Sequence, residues 1–80
     1  MKPENYISRQ IAALLLHRMA MLDVTFAEVA AKADAPEYVI RRTLLRGAAG
    51  KNISLRVVAA IAFALDCEFE MRLVPREDRA

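Results

Sequence analysis

The stretch Val24 to Arg46, VTFAEVAAKADAPEYVIRRTLLR, carries more folding instructions than any other part of the chain. Thr25-Phe-Ala-Glu28 has capping-box spacing: the Thr25 hydroxyl can accept from the Glu28 amide while Glu28 reaches back to the start of the helix. Val24 and Val29 flank it at the positions of a hydrophobic staple. Phe26, Val29, Ala30 and Ala33 then recur as one buried stripe, and the small Ala30 and Ala31 allow another helix to approach closely. Asp34-Ala-Pro36 ends this helix, because Pro36 drives Ala35 out of the helical region and pre-sets its own φ for a new one. Glu37 follows where a negative charge suits a helix start. Over residues 36–46, Val39, Ile40, Thr43 and Leu44 form an apolar back, and Tyr38, Arg41, Arg42 and Leu45 fall on the opposite side. Water offers nothing to Tyr38 or Leu45, so that face is more than a solvated one.

The flanks read as support. Ile7, Ile11, Leu14, Leu15 and Leu22 predict a first amphipathic helix, with Arg9, His17 and Arg18 elsewhere on its surface. Gly47 is placed to end the 36–46 helix in a left-handed conformation. Ser54 caps a fourth helix whose run Val57 to Leu65 is apolar all round, which predicts burial on more than one side. After Cys67 the period changes to two: Phe69, Met71 and Leu73 alternate with Glu68, Glu70 and Arg72, giving one half-buried strand over 68–74 that stops at Pro75. No second strand is evident, so its natural mate is the same strand of another copy, with Glu70 near the mate's Arg72. The expected architecture is all-α: a compact bundle of about four helices over 1–75, one C-terminal β-strand paired across a homodimer, and a frayed tail at 76–80. Phe69, Met71 and Leu73, with Ile61 from the fourth helix, are the expected dimer contacts.

Eighty residues suffice for one small domain. With 56% hydrophobic residues and only 6% aromatic, the apolar content suits packed helices and exceeds what so short a chain can bury alone. The net charge is only +2. Its distribution says more: from Tyr38 to Leu65 there is no acid, while Arg41, Arg42, Arg46, Lys51 and Arg56 all fall there, the footprint of a phosphate-binding face. Cys67 is the only cysteine, which excludes an intrachain disulfide and fits a small hydrophobe in a reducing cytoplasm. The run IAALLL is broken at His17 and Arg18, so neither a membrane span nor a signal peptide is expected. His17 has no partner set for metal or catalysis, and residues 47–52 lack the phosphate-loop spacing. No enzymatic activity and no cofactor are expected.

Taken together, Thr25 to Arg42 resembles the helix-turn-helix of lambda-repressor/Cro-like, or XRE-type, DNA-binding domains, with Ala30 at the tight helix crossing and Ile40 as the buried aliphatic after the turn. Ser54 to Asp66 looks like the family's fourth helix, and the tail resembles the strand of some small phage regulators and toxin–antitoxin repressors. Three residues depart from the pattern: Asp34 stands where the turn usually has Gly, Phe26 where Gln often holds a phosphate, and Glu37 near the tip of a helix usually rich in Ser, Gln and Asn. The resemblance implies a homodimeric regulator that reads double-stranded DNA with residues 36–46 in the major groove. Glu37, Tyr38, Arg41 and Arg42 would then face the bases, and Thr25, Arg46, Lys51 and Asn52 would hold phosphates. The alternative expectation is a protein-interaction module, antitoxin-like or an adaptor, whose main partner is a toxin or another regulator.

Overall fold

Among the described residues each α-helix is closed by a residue in the left-handed region, and three of the four such residues are aspartates. The computed structural model describes residues 3–78, with side chains over 6–77. Its helices are α1 (Pro3–Leu22), α2 (Phe26–Ala33), α3 (Glu37–Ala48) and α4 (Leu55–Ala64). Asp23, Asp34 and Asp66 have φ of 55°, 54° and 57°, and Gly50 has 78°. After each, the next amide reaches back five residues: Val24 to the Met19 carbonyl at 3.1 Å, Ala35 to Ala30 at 3.1 Å, Lys51 to Arg46 at 2.9 Å and Cys67 to Ala62 at 2.8 Å. This is the Schellman bond, which satisfies carbonyls that a helix end leaves orphaned.

Aspartate enters the left-handed region more readily than most residues, but its charge is unfavourable at a helix C-terminus. Asp34→Gly is therefore expected to stabilise the fold by about 0.5–1 kcal/mol and raise the melting temperature by a few degrees. Asp34→Ala should lower it, since alanine keeps the steric cost and lacks the local polar compensation. Thermal unfolding in the order Gly, Asp, Ala checks this; an Asp optimum would mean that the carboxylate itself holds the turn.

The capping box forms as the sequence predicts. The Thr25 amide donates to Glu28 Oε1 and the Glu28 amide donates to Thr25 Oγ1, both at 3.1 Å. Pro36, expected as the first helical residue of α3, is instead its N-cap, extended at ψ 143° with its carbonyl accepting from Val39. Ser54 Oγ caps α4 by accepting from the Val57 amide at 3.4 Å.

The buried face of α1 differs from the expected stripe. Ser8, Ile11, Ala12, Leu15 and Met19 are buried, whereas Ile7, Leu14 and Leu22 face outward. Small residues on α1 are what let α3 come close. A Cβ on Gly47 would lie 2.9 Å from Ala12 Cβ, 3.2 Å from the Ser8 carbonyl oxygen and 3.3 Å from Ile53 Cδ1. Gly47 is thus glycine for contact: α3 runs straight through it, and Gly50 supplies the left-handed turn. Arg18, expected on the surface, is half-buried, its Nε donating to the Leu65 carbonyl at 3.1 Å and tying α1 to the end of α4.

One core joins the four helices, its fully buried side chains being Val29, Ile40, Leu44, Val58, Ile61 and Leu65. Each contributes about 1.5–3 kcal/mol by leaving water. On α4 the burial is one-sided: Val58, Ile61, Ala62 and Leu65 turn inward, and Leu55, Ala59 and Phe63 remain exposed. Ile61, expected at a dimer contact, is 0% exposed and belongs to the core of a single copy. A continuous apolar run cannot say which side faces in, and that ambiguity placed Ile61 wrongly.

No strand occurs among the described residues. Residues 68–75 carry no regular structure, and a single 3-10 turn follows at Arg76–Asp78, where a frayed tail was expected. Residues 79–80 of that tail, like residues 1–2 of the expected domain, lie outside the described residues. The physical reason is direct: a strand exists through its ladder, and one copy offers this segment no edge to pair with. Residues 68–78 form the C-terminal arm of the chain. The radius of gyration is 13.5 Å, against about 12 Å for a compact chain of this length.

Candidate nucleic-acid interface

α3 is fixed by its back and displayed by its front. Ile40, Thr43, Leu44 and Gly47 are buried, so the helix presents Glu37, Tyr38, Arg41, Arg42 and Leu45 on its front, with Arg46 exposed at the edge. Tyr38 is 65% exposed although it is largely apolar. Both arginines are held by neighbours. Arg41 Nη2 donates to Glu37 Oε1 at 3.1 Å, one helical turn back, and its guanidinium lies 5.3 Å from the Phe26 ring centre. Arg42 lies 5.7 Å from the ring centre of Tyr38. Stacked guanidinium groups keep their donor edges free while losing little rotamer freedom, which suits planar, two-point recognition.

Phe26 thus acquires a role that the sequence alone did not indicate. It cannot hold a phosphate, but at the start of α2 it forms a floor for Arg41. The Glu37–Arg41 pair is exposed, so its strength is modest and its effect is chiefly to orient Arg41.

The residues expected to hold phosphates are only partly brought together. A cleft between α3 and the start of α4 is lined by Arg42, Arg46, Asn52 and Ser54, with Val39 and Thr43 among its walls. Arg46 Nη2 reaches the Asn52 carbonyl at 3.5 Å, a long contact that a stronger acceptor could replace. Lys51 is exposed in the loop beside it. The N-terminus of α4, with its unpaired amides and partial positive charge, opens beside the same cleft; Ser54 was readable from sequence only as a cap.

Thr25 stands apart from this group. Its hydroxyl accepts from the Glu28 amide and lies 3.1 Å from Glu28 Oε1, so it is committed to the capping box beside a carboxylate. A phosphate would meet like charge there. Among the described residues no single helix is long and apolar enough to cross a membrane. No protein-family model, curated protein or solved structure matches this chain.

Proposed function

We propose that this chain is a sequence-specific, double-stranded DNA-binding transcriptional regulator of the lambda-repressor/Cro-like kind, working as a homodimer. The observation that carries the proposal is the outward face of α3, where Tyr38, Arg41 and Arg42 project from a helix whose back is locked in the core. In the major groove, Arg41 or Arg42 would bond a guanine through two donors, and Glu37 would accept from a cytosine amino group. Arg46, Lys51 and Asn52, with the start of α4, would grip the backbone on one flank and set register. Residues 68–74 of two copies would pair as antiparallel strands, supplying the edge that one copy lacks.

Selection from a random pool, followed by titration of the winning duplex at several salt concentrations, tests this. Arg46 and Lys51 from each of two copies would neutralise about four phosphates, giving a log–log salt slope near −3.6. If no sequence is enriched and binding barely changes with salt, the DNA assignment is wrong.

One observation favours the protein-interaction alternative. Leu55, Ala59 and Phe63 leave an apolar stripe on α4, with Phe63 75% exposed, which DNA binding does not require. A tight, salt-insensitive complex with a co-expressed protein, and none with DNA, would select that alternative. Both can hold in one molecule.

A further inference from the structure

Between α1 and residues 67–70 lies an open groove of about 420 Å³. Its apolar lining includes Leu14, Leu15, Met21, Ala62 and Phe69; Glu68 and Glu70 lie on the side of residues 67–70, and His17 and Arg18 on the side of α1, where Arg18 is engaged by the Leu65 carbonyl. Leu14 is 70% exposed and Met21 64%, although Ile11 and Leu15 of the same helix are buried. The next residues of the chain have the complementary character. Met71, Leu73 and Val74 are exposed, Leu73 at 96%, and they alternate with or precede Arg72 and Arg76. Among the described residues the one ion pair is Arg41–Glu37, so none of these acids and arginines is matched by a described residue of its own chain.

The arm cannot serve its own groove in this conformation. Residues 67–70 already form one wall, and reaching back across it would need a tight reversal between Glu70 and Leu73, where there is no glycine, asparagine or aspartate to make one. A second copy has no such obstacle. We propose that each groove is filled by the arm of a second copy, in antiparallel register centred on Met71. That register sets the partner's Leu73 opposite Phe69 and the partner's Arg72 opposite Glu70. Side chains alternate along a strand, so Phe69, Met71 and the partner's Leu73 share one face, and it closes over Leu14 and Met21. The contact is isologous: each copy gives an arm and receives one. The proposal rests on the homodimer of the preceding section and adds α1 to it as the receiving surface.

Sedimentation of the full chain tests it, with four variants: Leu14→Lys, Leu73→Lys, both together, and Leu55→Lys as a control on the exposed side of α4. Leu14 and Leu73 are exposed in one copy, so helical content and melting should persist in each. Leu14→Lys and Leu73→Lys should each weaken dimerisation on the order of ten- to a hundredfold. The double variant should lose less than the product of the two, because the residues meet, and Leu55→Lys should change nothing. A wild-type dimer untouched by Leu14→Lys overturns the groove and leaves the paired strands standing. Independent losses at positions 14 and 73 overturn it too, since the arm would then dock elsewhere. A wild-type monomer at micromolar concentration overturns both groove and homodimer, and leaves the DNA contacts of α3 to be judged by their own experiment.

Discussion

Gly47→Val is expected to lower the melting temperature by roughly 12–24 °C, corresponding to about 3 kcal/mol or more. A Cβ at 47 already comes within 2.9 Å of Ala12 Cβ and 3.2 Å of the Ser8 carbonyl oxygen. Neither atom can swing aside, because one is a single methyl and the other is backbone. Valine adds two further methyls to the same gap, so α1 and α3 must separate. A chain of this size has a total stability on the order of 4–12 kcal/mol, so a sizeable share is lost at one site. Gly47→Ala is the finer instrument. It gains about 1 kcal/mol in helix propensity and meets the same Cβ clash. Combining it with Ala12→Gly should recover part of the loss by reopening the gap. Thermal unfolding of the set decides: if Gly47→Ala is more stable than the natural chain, the close contact of α1 and α3 does not govern this position.

Arg41→Ala with Arg42→Ala should reduce affinity for the selected duplex at least ~30-fold, at about 1–3 kcal/mol for each base-reading arginine. Both side chains are exposed, so the melting temperature should stay within a few degrees. The single variants separate the roles. Glu37→Gln removes the carboxylate that holds Arg41 at 3.1 Å, and preference should relax at one base position more than total affinity falls. Phe26→Leu should weaken binding through Arg41 alone, because it removes the ring 5.3 Å beneath that guanidinium. Unchanged affinity of the double alanine variant for every duplex in a random-site selection would take the recognition face away from α3.

How much of this was legible in the sequence depended on range. Most signals that act within one turn were read correctly, among them the Thr25–Glu28 box, the Ser54 cap and the split faces of α3, although Pro36 is a cap and Gly47 lies inside its helix. Each needs only its neighbours along the chain. Errors arose where a partner decides. The spacing of Ile7, Leu14 and Leu22 is helical, but which stripe of α1 faces inward was settled by Gly47, far away in sequence. A spacing of four between Ser8 and Ala12 was the available clue, since small residues repeated on one face mark close approach. Ile61 was misplaced because an apolar run has no visible outside. Arg41 over Phe26 joins two helices across the turn, and no local pattern announces it.

The arm has a further consequence for dose. Residues 68–75 have no regular structure in one copy. Ordering such a segment costs about 1–2 kcal/mol per residue in backbone entropy alone, which offsets much of what its apolar side chains would gain on pairing. A dimer built on it would form across a window of concentration and would not be permanent. Occupancy of a two-fold target by such a protein rises with the square of the free chain, so a modest change in synthesis or degradation becomes a sharper change at the target.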